Sequence, residues 1–111
     1  MLQELMLTRR TRGGAATVTV AGELDAHTAP DLAEALGDQL QAHVRDLLID
    51  VSGITFISAA GLHVLTEATS AAAGQGVRVQ VQTGESRVVR RILHAAGGEH
   101  LLPLAQVPQP A

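Results

Sequence analysis

The chain has 111 residues, enough for one domain, and 46% of them are apolar, so a core can form without cross-links. Cysteine is absent, which excludes disulfides and thiolate metal sites, and lysine is absent, which excludes a catalytic lysine. The net charge of −3 and the single aromatic residue argue against nucleic-acid binding. The N-terminus does not match a signal peptide and no stretch is suited to membrane insertion, so we expect a cytoplasmic protein.

The first part of the chain predicts a hairpin followed by a helix. Residues 2–8 are a plausible first strand with Leu5 and Leu7 on one face, and residues 17–20 alternate Thr and Val as a second strand. The polar residues 9–14 between them suit a turn, which makes a hairpin. Thr28 is expected to cap a helix whose first turn contains Pro30, and leucines then recur at every fourth position along one face.

After that helix, strands alternate with helices. Residues 46–51 form a short apolar run, which indicates a strand buried on both faces, so Leu48→Asp should unfold the domain. Residues 52–57 are expected to form a loop that leads into a second helix. Residues 77–82 alternate strictly and predict a strand with one wet face, and residues 85–96 predict a third helix with its arginines turned outward.

The resulting order is β-β-α-β-α-β-α-β, with a last brief strand over residues 101–104. Strands that alternate with helices after an opening hairpin imply an α/β fold with a mixed sheet of four or five strands. We expect one domain over residues 1–106 and a disordered tail over residues 107–111, which include two prolines.

Few residues have the spacing that enzymatic chemistry requires. None of the five histidines belongs to a tight ligand motif; His94 and His100, on either side of a Gly-Gly helix stop, are at most a weak hint of a shared metal. Asp25 and Asp50, both at strand ends, suit either general acid–base chemistry or a helix cap and a strand-end hydrogen bond, and we favour the structural roles. We therefore expect no catalysis, no metal and no other cofactor.

The most informative segment runs from residue 50 to residue 62, where a strand and a loop lead into the second helix. Ser58 is a natural N-cap, and the small residues Ala59, Ala60 and Gly61 leave that helix end bare. A glycine at this point costs about 0.5–1 kcal/mol relative to alanine, so something local requires the missing side chain. Two interpretations remain open: Gly61 packs against a neighbouring strand or loop, or the helix end is a flat docking surface.

In this segment the sequence resembles the STAS-domain family and, within it, the bacterial anti-sigma-factor antagonists. The resemblance rests on four stretches that together span nearly the whole chain: Gly22-Glu23-Leu24-Asp25 through Thr28-Ala29-Pro30, Leu48-Ile49-Asp50-Val51-Ser52-Gly53 through Phe56, Gly61-Leu62, and Arg90-Ile92-Leu93 before Gly97. It implies a non-enzymatic α/β domain with helices packed mainly on one side. It also implies a partner: an anti-sigma factor that is a serine protein kinase with the histidine-kinase-like ATPase fold.

The resemblance also implies where such proteins are switched off by phosphorylation. The usual motif places Asp, a phosphoacceptor Ser and then Ser or Thr after Phe and one aliphatic residue. Here Ser58 occupies the Asp position and Ala59 the phosphoacceptor position, and alanine has no hydroxyl to phosphorylate. Ser58 is then either a displaced acceptor or only the N-cap, and both roles stay open.

The partner-binding surface implied by the resemblance combines the loop after the second strand with the start of the second helix. It comprises Glu23, Asp25, Thr28, Thr55, Ser58, Ala59, Ala60, Gly61, Leu62 and His63. Two other functions remain open: a STAS accessory subunit of a transporter or signalling scaffold, and a small-molecule sensor that uses the loops near Asp25, Thr55 and Ser58. No oligomeric state is predicted.

Overall fold

The computed structural model describes residues 5–98 and 102–105, which form seven elements in the predicted order. These elements are β1 (Met6–Arg12), β2 (Ala15–Leu24), α1 (Ala29–Gln41), β3 (Asp46–Ile57), α2 (Ala59–Gly74), β4 (Arg78–Gln82) and α3 (Arg87–Ala95). None of the helices in this part of the chain is long and apolar enough to cross a membrane.

The four strands form one mixed sheet in the order β1-β2-β3-β4. β1 pairs antiparallel with β2, whereas β3 runs parallel to both β2 and β4. The carboxyl ends of β2, β3 and β4 therefore lie along one edge of the sheet, and α1, α2 and α3 each begin just beyond it. We call this the C-terminal edge; parallel α/β sheets commonly bind their ligands there.

All three helices pack on the same face of the sheet. That face contributes Val18, Val20, Ile49, Val51 and Val81 to a single core, where they meet the apolar stripes of the helices. The intervening residues of β3 are only half-buried or exposed, Leu48 among them. The expectation that residues 46–51 are buried on both faces is therefore wrong. Buried and less buried side chains alternate over these residues because helices cover one face of the sheet only.

The first hairpin differs from the prediction. The turn consists of Gly13 and Gly14 alone, both with positive φ (58° and 87°), which glycine adopts at little cost, so β1 continues through Arg12. The polar residues that suggested a longer turn lie on an edge strand, where Arg9 forms an ion pair of 2.9 Å with Asp38 of α1. The predicted start of this strand, at residues 2–4, is outside the described residues.

Two further differences concern β3 and the end of the chain. Residues 52–57, predicted as a loop, belong to β3, because they pair with the last residues of β2, with Phe56 opposite Glu23 and Ile57 opposite Leu24. The predicted last strand is reduced to a bridge between Val81 and Leu104. Residue 101, His100 and the tail at residues 107–111 lie outside the described residues.

Candidate functional site

The start of α2 is fixed by Ser58, which has an extended backbone (φ −85°, ψ 170°). Its Oγ accepts a hydrogen bond from the N–H of Gly61 at 3.2 Å, which confirms the predicted N-cap. Its own N–H donates to the carbonyl oxygen of Leu24 at 2.9 Å. These two bonds connect the start of α2 to the end of β2, so the position of the helix end is set by the sheet.

The position of Gly61 supports the first of the two open interpretations, in which this glycine packs against a neighbouring strand. It is buried, and a Cβ at this position would meet the carbonyl oxygen of Leu24 at 2.5 Å, so the missing side chain lets α2 approach β2. Leu62 is also buried and belongs to the core. Ala59, Ala60 and His63 are exposed instead.

The loop between β2 and α1 is organised by Asp25. Its carboxylate accepts hydrogen bonds from the N–H groups of His27 at 2.9 Å and Thr28 at 3.0 Å. Thr28 is the N-cap residue of α1 but forms no side-chain cap, contrary to the prediction. Its buried hydroxyl points back, donates to the carbonyl of Glu23 at 2.8 Å and accepts the Asp25 N–H at 3.0 Å.

These bonds also affect the ionisation of the Asp25 carboxyl. The hydrogen bond from the Thr28 N–H is the main reason that the pKa of the Asp25 carboxyl is lowered; the His27 N–H, the Thr28 hydroxyl and the His27 charge lower it further, and desolvation opposes them. The Asp25 carboxylate accepts hydrogen bonds from two N–H groups of its own loop, so it acts in the fold as a structural acceptor. Asp50 is one too, because it accepts the Ser52 N–H at 3.0 Å.

Phe56, the phenylalanine of the family motif, is 49% exposed near the end of β3. Strict alternation would place Phe56 on the same face as the buried Ile54. The pairing of β2 with β3 shifts between Gly22 and Glu23, so the local sequence contains no signal for the exposure of Phe56. Thr55, also exposed, precedes it. Five residues at this place form a surface that we call the docking edge: half-buried Glu23 and exposed Phe56 from the paired strand ends, and exposed Ala59, Ala60 and His63 from α2.

The docking edge carries little fixed charge. Glu23 lies at its margin, and the imidazole Nε2 of His63 is 3.1 Å from Oε1 of Glu67, one turn further along α2. Within residues 5–98 and 102–105, no group of three or more histidine and carboxylate side chains is arranged to hold a metal ion. The arrangement is therefore a mostly apolar, small-residue surface at a rigid helix end, suited to close contact with another macromolecule.

Comparison with known proteins shows which family the chain resembles. A family model described as "Mlab, STAS domain" matches residues 7–103. The anti-sigma-F factor antagonist RsfB of Mycobacterium tuberculosis is 34% identical over 93 residues, which cover 84% of this chain and 75% of RsfB.

Two solved structures of anti-sigma factor antagonists are also similar to this chain. An anti-sigma factor antagonist from Mycobacterium paratuberculosis has 28% identity and a TM-score of 0.77, over 94% of this chain and 87% of that one. SpoIIAA, an anti-sigma factor antagonist in its unphosphorylated form, shares the fold at 15% identity, with a TM-score of 0.67 over 95% of this chain and 89% of that one. With its predicted element order and its mixed four-stranded sheet confirmed, the chain belongs to the STAS domain family.

Proposed function

We propose that this chain is an anti-sigma factor antagonist, which binds an anti-sigma factor through the docking edge and thereby regulates sigma-factor-dependent transcription. The observation that carries this proposal is the exposure of Phe56, at the end of β3, together with the exposure of Ala59 and Ala60 at the start of α2. The small side chains allow a partner to approach the helix closely, and Phe56 offers apolar area to bury. The similarity to RsfB and to the M. paratuberculosis antagonist supports the same function.

The partner that fits the resemblance is an anti-sigma factor that is also a serine protein kinase with the histidine-kinase-like ATPase fold. A phosphate at the start of α2 would bring a charge of about −1.5 to −2 at pH 7 into the docking edge. The helix end tolerates that charge, because its free N–H groups and dipole are positive, so the cost falls on the interface. Ala59 accepts no phosphate, and the docking edge therefore stays competent to bind.

We also propose that the chain acts in the cytoplasm and has no catalytic activity of its own. Asp25 and Asp50 accept structural hydrogen bonds, and Ser58 uses its hydroxyl oxygen as an N-cap. Each of these three side chains thus has a structural role in the fold.

The proposal is tested by calorimetric titration of the chain against the cognate anti-sigma factor. The wild-type chain should bind with one-to-one stoichiometry. Ala59→Asp should weaken binding by about 1 kcal/mol or more, because its charge must be desolvated at the interface. Ala73→Asp adds the same charge at an exposed position near the other end of α2 and should leave affinity unchanged.

Two outcomes would contradict the proposal. Equal losses for Ala59→Asp and Ala73→Asp would move the interface away from the docking edge. Absence of binding by the wild-type chain, with co-purification of a membrane transport complex instead, would establish the accessory-subunit function.

A further inference from the structure

The arginines of α3 are not explained by the stability of the fold. Arg87 occupies the first position of the helix, where the dipole disfavours a cation, and Arg91 follows one turn later. Like charges at this spacing destabilise a helix by about 0.2–0.5 kcal/mol. Arg90 has a structural role, because its guanidinium donates to the carbonyl of Gly84 at 2.9 Å.

Arg87 and Arg91 have no such role. The ion pairs within 4.0 Å in the described part of the chain are Arg9–Asp38, His63–Glu67 and Arg78–Asp46, and none of them involves α3. Neither side chain forms a hydrogen bond that joins it to another described residue. Two exposed cations without a partner among the described residues therefore lie on a helix of a chain whose net charge is −3.

An exposed apolar residue lies beside these cations. Val88, between Arg87 and Arg91 in the sequence, is 54% exposed, although the next residue, Val89, is completely buried. Large exposed apolar side chains are few among the described residues: Met6, Phe56 and Val88. An apolar side chain flanked by unpaired arginines has the composition of a protein contact, in which arginine is enriched.

The position of α3 links it to the docking edge. Its N-terminus follows the end of β4, at the same edge of the sheet where α2 begins. Just past its C-terminus, Gly98 lies against the first turn of α2, so closely that a Cβ there would be 3.1 Å from Cδ1 of Leu62. The C-terminal end of α3 therefore lies next to the first turn of α2.

We propose that Arg87, Val88 and Arg91 form a second contact surface, which binds an acidic segment of the anti-sigma factor beside the docking edge. This proposal rests on the proposed function. Charge complementarity identifies the occupant, because two unpaired cations around an apolar residue fit carboxylates around an apolar pocket. The chain's own residues 106–111 do not fit, since they contain no acidic residue.

The test compares two double charge reversals in titrations and stopped-flow association with the cognate anti-sigma factor at low and physiological salt. Arg87→Glu with Arg91→Glu should raise Kd about tenfold or more, mainly through slower association, and should reduce the salt dependence of binding. Arg10→Glu with Arg12→Glu is the matched control. It makes the same charge change on exposed, unpaired arginines of β1, at the opposite edge of the sheet, and should change Kd less than twofold.

Three further measurements, two of them on new variants, separate binding from folding. Glutamate in place of Arg87 and Arg91 should leave the thermal melt unchanged or raise its midpoint, because it removes the unfavourable helix charges. Arg87→Lys with Arg91→Lys keeps the charge and should bind within about threefold of the wild type. Val88→Thr keeps the branched shape, replaces one methyl group with a hydroxyl group and should raise Kd about twofold to fivefold.

The outcomes distinguish this proposal from the proposed function. If the wild-type chain binds and Ala59→Asp weakens binding, but the α3 reversal leaves Kd within twofold, the α3 proposal alone is overturned. Equal losses for the α3 and β1 reversals also overturn it, because they reflect net charge rather than a contact. Failure of the wild-type chain to bind the anti-sigma factor overturns both proposals.

Discussion

Gly61 of α2 lies directly against Leu24 of β2: a Cβ at Gly61 would be 2.5 Å from the Leu24 carbonyl oxygen and 2.7 Å from its Cγ. The same carbonyl accepts the N–H of Ser58 at 2.9 Å. The first turn of α2 is thus fixed on the end of β2 by one hydrogen bond and one backbone contact. Ala59 and Ala60 of the docking edge are held in place by this contact, because they lie between Ser58 and Gly61, the two residues of α2 that meet Leu24.

Gly61→Ala should therefore destabilise the domain, by about 1–3 kcal/mol, because the added methyl group meets backbone that cannot easily move. Gly37→Ala is the matched control, since Gly37 lies in α1 with nothing within 4 Å of its added Cβ. There alanine should stabilise by about 0.5–1 kcal/mol through its helix propensity. Urea unfolding of the two variants should give changes of opposite sign; a gain in stability for Gly61→Ala would refute the contact.

Adjacent residues of β3 give a second prediction. Ile49 is fully buried in the core, whereas Leu48 is only half-buried on the face that no helix covers. Ile49→Asp should prevent folding, because an unpaired buried charge costs several kcal/mol. Leu48→Asp should remain folded with a lower melting temperature, contrary to the expectation from sequence. Circular dichroism melts decide it: two unfolded variants would mean that the second face is also covered.

This contrast shows what the sequence could and could not predict. The order of the elements followed from apolar periodicity, because alternation and helical spacing are local properties. The faces of β3 did not follow, because a short apolar run such as residues 46–51 fits both one-sided and two-sided burial. Residues 52–57 looked like a loop because their strand character depends on pairing with the end of β2, which is 30 or so positions away in the chain.

As with the fold, only those features of the site that depend on neighbouring residues could be predicted from the sequence. The Ser58 cap depends on neighbouring residues and was correctly predicted. The Thr28 cap was not, because the Asp25 carboxylate takes the Thr28 N–H and the Thr28 hydroxyl turns to Glu23. Which of these bonds forms depends on the path of the loop after β2, and several local hydrogen-bond patterns compete in such a sequence.

The Asp25 bonds predict a particular dependence of stability on pH. The pKa of the Asp25 carboxyl is lowered in the folded state, chiefly by the Thr28 N–H, below its ordinary value of 3.8. Ionised Asp25 therefore stabilises the fold fully above the unfolded-state pKa, and this contribution is lost as pH falls through the lower, folded-state pKa. Asp25→Asn should melt below the wild type at pH 7, and the difference should shrink as pH falls below 3.8. A difference that is independent of pH would show that the charge contributes nothing.

The last prediction concerns phosphorylation and depends on the cognate kinase of the proposed function. Wild-type protein incubated with that kinase and ATP should gain no phosphate at position 59, because Ala59 has no hydroxyl. Ala59→Ser should gain one phosphate and then release the kinase, since the added hydroxyl lies at the exposed start of α2. Intact mass spectrometry with a parallel binding assay measures both steps.

Ser58→Ala is the essential control, and its loss of the N-cap should cost about 1 kcal/mol without unfolding the domain. If the wild-type chain gains one phosphate and Ser58→Ala abolishes it, Ser58 is a displaced acceptor and the antagonist is switched after all. If Ala59→Ser is not modified while the wild-type chain still binds the kinase, the docking edge does not present position 59 to the kinase active site.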